Sequence, residues 1–205
     1  IAAQRLELFL LGRPQIWVGG QPLSDLPSVK GQALLFYLAC TRKTFTREAL
    51  AGLFWGEMDE ETARTNLRLT LSRLQKVVGP CVIADRREVR SDFERPIWVD
   101  VHEFETSLSA ATQPSSTAAG AALKLYRNEF LYDFPVADAP DYELWVLAER
   151  ERLGRMALNG WQALLWSELD ARQHLDAIST CRRMLDLEPW HEESHRLLMW
   201  LLNAT

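Results

Sequence analysis

Residues 59–79 read DEETARTNLRLTLSRLQKVVG, and this stretch holds the start, both faces and the end of a helix. Asp59 is an N-cap residue, and Glu60 and Glu61 place negative charge on the first turn, where unpaired backbone N–H groups and the helix dipole favour it. Gly79 followed by Pro80 ends the run. At about 100° per residue, Ala63, Leu67, Leu71, Leu74 and Val78 fall within roughly 40° of one direction, which predicts a core-facing stripe.

The opposite face carries Thr65, Arg68, Leu69, Ser72, Arg73 and Lys76. After Glu61 the helix has four basic side chains, Arg64, Arg68, Arg73 and Lys76, and no acidic one, so its exposed face is expected to escape neutralisation by i,i+4 pairing. Such a face suits the major groove of duplex DNA. Arginine bonds guanine through two parallel hydrogen bonds, Thr and Ser reach base edges or phosphates, and Leu69 meets a thymine methyl. An ordinary amphipathic helix with a basic outer side shows the same pattern, so the flanking sequence decides between the two.

Upstream, Leu6–Leu10 is a β-rich run, Gly12, Arg13 and Pro14 turn it, Gln15–Val18 is a second run, and Gly19-Gly20 is a hairpin signal before Gln21 and Leu23. A small antiparallel sheet is expected. From Ser28, a plausible cap, the period becomes helical through Ala33, Leu34, Tyr37 and Leu38, and ends in the polar run Thr41–Thr44. Thr46 caps a shorter helix through Leu50, Leu53 and Phe54, closed by Gly56. A few residues later comes the Asp59 helix, which is helix-turn-helix spacing. Downstream, Val82–Ala84 and Val89–Ser91 flank a charged tip with Arg86 and Arg87, and Arg90 follows. A basic hairpin after a basic helix reads as a wing that touches DNA backbone or minor groove, although Asp85 and Glu88 dilute its charge.

The stretches LFLLGRPQIWVGGQPL, KGQALLFYLA, TREALAGLFW, ARTNLRLTLSRLQKVVG and IWVDVHEFE resemble those of the antibiotic-regulatory, SARP-type bacterial transcriptional activators. The resemblance covers nearly the whole chain in ordered motifs. It implies a mainly α fold with small β-sheets: an N-terminal winged helix-turn-helix of the response-regulator output type, then an α-helical TPR-like bacterial transcriptional activation domain. It implies further a sequence-specific activator that binds direct repeats near promoters in double-stranded DNA, recruits RNA polymerase and pairs as a homodimer on DNA. The DNA-binding residues would be Arg64, Thr65, Asn66, Arg68, Leu69, Ser72, Arg73 and Lys76 on the recognition helix and Arg86, Arg87 and Arg90 on the wing. Glu57, Asp59, Glu60 and Glu61 crowd acids just ahead of the helix, so contacts are placed from Arg64 onward.

Charge supports a divided chain. The overall net charge is −5, but residues 1–98 hold 14 Lys+Arg against 11 Asp+Glu, a net +3, and residues 99–205 hold 9 against 17, a net −8. The winged-helix domain is therefore assigned to 1–98 and the helical activation domain to 99–205. Residues 96–101 read as a last strand leading into a helix through Phe104 and Leu108. Gln113–Thr117 is a polar loop, with Ser116 or Thr117 a cap for the Ala-rich helix that runs to Tyr126, and beyond Asp141 the chain is helical almost to its end. Counting from Leu158, Trp161, Leu164, Ala177 and Pro189 fall on positions 4, 7, 20 and 32 of a 34-residue tetratricopeptide repeat. Leu165 and Glu168 depart from that pattern, and a plain antiparallel bundle accounts for the same hydrophobic spacing. The last helix, from about Glu192, leaves Leu197, Leu198, Leu201 and Leu202 wanting cover, from a partner or from sequence past Thr205.

His191-Glu192-Glu193-Ser194-His195 matches the H-E-x-x-H zinc pattern literally, yet no His, Asp, Glu or Cys follows in the last ten residues to complete the site. No Gly-rich phosphate loop or nucleophile elbow occurs, so no enzyme activity, cofactor or metal is expected. Cys40, Cys81 and Cys181 are odd in number and widely spaced, which reads as buried thiols. With 47% hydrophobic residues and no apolar run of membrane-spanning length, a cytoplasmic protein with no membrane partner is expected. An alternative is a protein–protein interaction adaptor whose winged helix has lost DNA binding, which the overall acidity allows.

Overall fold

The computed structural model describes residues 5–25, 27–92, 94, 97–110 and 117–204. By internal contacts the chain divides into two compact units, Ile1–His102 with Phe130–Glu149, and Glu103–Glu129 with Arg150–Thr205. The division expected between residues 98 and 99 follows chain order; the compact units do not, because residues 130–149 return to the first.

In the first unit, β1 (Leu6–Phe9) pairs antiparallel with β2 (Gln15–Val18), which pairs with β3 (Gln21–Pro22). Gly19 and Gly20 have φ of 61° and 78°, the left-handed pair that a tight hairpin turn demands. Alternation sorts the faces: Leu6, Leu8 and Ile16 are buried, while Phe9 stacks on the outer side against Trp17 at 5.8 Å. A later strand, β4 (Phe45–Thr46), lies between two helices. These are α1 (Val29–Thr41), capped by Ser28 Oγ on the Gly31 amide at 3.3 Å, and α2 (Arg47–Trp55), capped by Thr46 Oγ1 on the Ala49 amide at 3.1 Å. Gly56 ends α2, where a Cβ would stand 2.7 Å from the Gly52 carbonyl oxygen.

Next come α3 (Glu60–Val78), a 3₁₀ turn (Gly79–Cys81), β5 (Val82–Ala84) and β6 (Glu88–Ser91). The second sheet has the order β4-β6-β5. β7 (Ile97–Val99) lies parallel to β1 and completes a first sheet of order β3-β2-β1-β7. The sequence reading carried this strand on to Val101, but helix α4 (Asp100–Ala110) begins two residues earlier. The physical reason is Asp100, fully buried, whose carboxylate accepts the Leu10 amide at 2.8 and 2.9 Å and the Leu11 amide at 3.0 Å.

Residues 130–149 complete this unit. Leu131 N donates to Leu10 O at 2.9 Å and Tyr132 N to Gly12 O at 3.1 Å, and Asp133 pairs with Arg13. Phe134 packs on Phe36, Tyr142 on Phe54 at 5.0 Å and Trp145 on Tyr37 at 4.8 Å. These rings cover the apolar side of α1 and α2. Lys30 Nζ donates to the carbonyls of Phe54 and Asp138.

The second unit is helical: the remainder of α4, α5 (Thr117–Leu125), all but the first turns of α6 (Pro140–Asp170), α7 (His174–Leu187) and α8 (Glu192–Ala204). The loop expected at 113–117, and the Ser116 cap, lie outside the described residues, as does the Thr117 side chain. α5 meets α6 at Gly160, where a Cβ would come 2.9 Å from Leu123 Cδ2 and 3.4 Å from Leu108 Cδ2, so a larger residue would require the Leu123 side chain to shift. Tyr126 bridges Phe104 at 5.7 Å and Trp161 at 5.9 Å. Trp161 and Ala177, both on repeat positions, are buried, and a turn at residues 171–173 joins α6 to α7. On α8 the expectation of four leucines wanting cover holds fully only for Leu202. Leu201 is fully buried and Leu197 and Leu198 are half-buried, while Met199, Trp200 and Leu202 are the exposed apolar residues.

Candidate nucleic-acid interface

α3 is built as its sequence dictates. Asp59 Oδ1 accepts the Thr62 amide at 2.9 Å, and this bond is the largest cause holding its carboxyl below the usual range. Ala63, Leu67, Leu71, Leu74 and Val78 are all buried, so the helix is seated on the core by five apolar side chains one or two turns apart. Gln75 Nε2 donates to the Val82 carbonyl at 3.0 Å, tying the last turns of the helix to β5.

The seating fixes what faces outward. Thr65, Arg68, Ser72, Arg73 and Lys76 are exposed, and Leu69 is 46% exposed among them. Arg68, Arg73 and Lys76 have no carboxylate within ion-pair distance among the described residues. Arg64 differs. Its guanidinium pairs with Glu60 Oε1 at 2.6 Å and Glu48 Oε1 at 3.4 Å, so the expectation that no i,i+4 pair neutralises the face fails at this residue. The partner lies in the first turn, ahead of the acid-free segment. Asn66 is half-buried and its amide donates to Met58 Sδ at 3.3 Å. The open cationic face therefore starts at Arg68. Glu57, Asp59, Glu60 and Glu61 are exposed and keep the helix start acidic.

β5 and β6 pair in the register Val82↔Ser91, Ile83↔Arg90 and Ala84↔Val89, forming the expected wing. Its tip is closed by Asp85, whose Oδ1 accepts the Glu88 amide at 2.8 Å and the Arg87 amide at 2.7 Å. Those bonds, that from Glu88 first, hold the Asp85 carboxyl below its ordinary value. Arg86 and Arg87 are exposed at the tip and Arg90 is half-buried on the strand. Sequence reasoning missed Arg47. Its amide donates to Arg87 O at 2.9 Å and its Nε to Asp85 O at 2.7 Å, fastening the wing to the start of α2. The strand that leads into it, β4, is only two residues long, too short to stand out in the sequence.

The H-E-x-x-H pentapeptide begins α8, and each histidine has a local task. His191 Nδ1 lies 3.2 Å from the Ser194 amide, which donates to it, and 2.9 Å from Ser194 Oγ. His195 Nε2 lies 2.8 Å from the Pro189 carbonyl oxygen. Among the described residues no three His, Cys, Asp or Glu gather as metal ligands, and no helix is long and apolar enough to cross a membrane.

Basic recognition-type helix, anchored hairpin and accessory sheet define a winged helix-turn-helix, here followed by paired helices. Residues 99–205 match the family model of the bacterial transcriptional activator domain, and the chain belongs to that family. It is 25% identical over 205 residues to the regulatory protein AfsR of Streptomyces griseus, covering 96% of this chain and 20% of that protein. The solved structure of Mycobacterium tuberculosis EmbR in complex with a low affinity phosphopeptide superposes with a TM-score of 0.74 at 20% identity, over 97% of this chain and 54% of that one. The chain thus spans one fifth of the length of AfsR. The likeness to SARP-type activators read from its motifs is borne out, as is the mainly helical fold with small sheets.

Proposed function

We propose that the chain is the DNA-binding and activating portion of a sequence-specific bacterial transcriptional activator. The observation that carries this reading is the outward face of α3, where Arg68, Leu69, Ser72, Arg73 and Lys76 stand exposed on a helix held from beneath by buried leucines. Laid in the major groove, Arg68 and Arg73 address base edges, and Lys76 and the wing residues Arg86, Arg87 and Arg90 address phosphates. Thr65 extends the face toward its acidic start, and Arg64 and Asn66 take part once they exchange their protein partners for DNA. Residues 1–98 carry the DNA contacts and 99–205 the activating function, through which the protein, itself cytoplasmic, recruits RNA polymerase. Two protomers on adjacent direct repeats supply the length of site that one short helix cannot.

Selection from a random duplex library at low salt, followed by sequencing of the retained DNA, tests this. Enrichment of a direct repeat is expected. Failure to retain any duplex would leave the winged helix as a protein-docking adaptor instead.

A further inference from the structure

The second unit contains a cleft of about 920 Å³ among α5, α6 and α7. Its α6 wall is Trp161, Leu164 and Glu168, spaced three and four residues apart and so on one helix face. Its α7 wall includes Asp176, Thr180 and Arg183, again on one face. Helices that meet only to form a core present apolar faces, as α7 does with Ala177, Ile178, Cys181 and Met184. Toward the cleft it presents polar and charged groups.

Glu168 is the informative residue. It is only 9% exposed, and although Thr180 hydrogen-bonds its carboxyl group, Oε2 has no hydrogen-bond partner among the described residues. Burial above all pushes its pKa up, and nearby Asp176 adds to this. A buried carboxylate oxygen without a donor is costly, and native proteins rarely keep one without a use. The same cleft offers an aromatic surface, Trp161 edge-on to Tyr126, and is lined also by the cations Lys124, Arg127 and Arg183 and by Asp176.

We propose that this cleft binds a small zwitterionic molecule with an aromatic or branched apolar body, of the chemical class of an amino acid. Glu168 Oε2 receives its ammonium group, Trp161 and Leu164 bear its apolar body, and Lys124 and Arg183 face its carboxylate. The volume is that of pockets which enclose small ligands, about 300–1,000 Å³. An extended peptide, by contrast, is gripped through its backbone along a strand edge or groove, whereas this cleft is lined by side chains of both charge signs, Lys124, Arg127 and Arg183 with Glu168 and Asp176. The proposal stands apart from the DNA-binding reading, and its test needs no DNA.

Isothermal titration calorimetry on the whole chain, with L-tryptophan, L-tyrosine and L-leucine as probes, reads the site directly. Saturable one-to-one binding of at least one probe is expected, with about tenfold weaker binding of the matching compound that lacks the amine or the carboxylate, as suits one lost charge-assisted hydrogen bond. Glu168→Gln should abolish the advantage conferred by the amine, and Arg183→Ala that conferred by the carboxylate. Arg183 is exposed, so its variant keeps the test decisive should Glu168→Gln fail to fold. No saturable heat from any probe, an unchanged ranking in the variants, or binding confined to longer peptides would overturn the assignment.

Discussion

The carboxylate of Asp100 accepts the backbone amide of Leu10 across 90 residues of sequence, and takes the next amide, that of Leu11, as well. Leu10 ends the run that forms β1, where ladder pairing stops, so its N–H needs another acceptor. Asp100→Ala leaves two buried amides without one, and a loss of about 2–6 kcal/mol is expected at about 1–3 kcal/mol for each group. Asp100→Asn keeps one acceptor oxygen and should lose less. Urea unfolding of the two variants checks the order; equal stability of Ala and wild type would refute the role.

On DNA, Arg68 and Arg64 should part company. Arg68→Ala removes an exposed guanidinium with no ion-pair partner among the described residues and is expected to cost about 1–3 kcal/mol and to relax base preference at one position. Arg64 is already occupied by Glu60 and Glu48, so Arg64→Ala should cost less. Arg87→Ala at the wing tip should weaken binding to selected and random duplexes alike. Anisotropy titrations on both kinds of DNA measure all three, and identical profiles would contradict the proposed division of labour.

Leu71, 2% exposed, lies on the underside of the same helix. Leu71→Ala should cost about 2–5 kcal/mol of stability through the cavity it opens, whereas Arg68→Ala should leave the melting temperature near that of wild type. A large drop for Arg68→Ala would mean that its side chain is part of the core support.

The wing tip carries a pH signature. The Glu88 and Arg87 amides hold the Asp85 carboxyl below its ordinary value of 3.8, so the stabilisation is intact above that value and disappears as pH falls through the depressed one. The amide resonances of Arg87 and Glu88 should shift together with a midpoint below 3.8 in an NMR titration. A midpoint at or above 3.8 would show that the carboxylate does not hold the turn.

Local features were legible in the sequence. The stripe from Ala63 to Val78, the Asp59, Thr46 and Ser28 caps and the Gly19-Gly20 hairpin each depend on neighbours within a few residues, and each stands where the residues placed it. What escaped depends on distant partners. Asp100 reads as part of a strand that runs to Val101, because its partner Leu10 lies 90 residues away. Arg47 gave no sign that the wing rests on it, and the sulfur beside Asn66 cannot be read from spacing. The Arg64–Glu60 pair is legible at i,i+4 spacing, although its acid lies ahead of the acid-free segment that follows Glu61.

The return of residues 130–149 to the first unit has a bearing on inheritance. Phe36, Tyr37 and Phe54 find their covering rings in Phe134, Trp145 and Tyr142, so a headpiece cut at residue 98 would carry away its helices stripped of their lining. Recombination among relatives can exchange this unit intact only by moving two separated stretches of gene together. The helix that faces outward and the opening turns of α6 thus share one scaffold, however different their tasks.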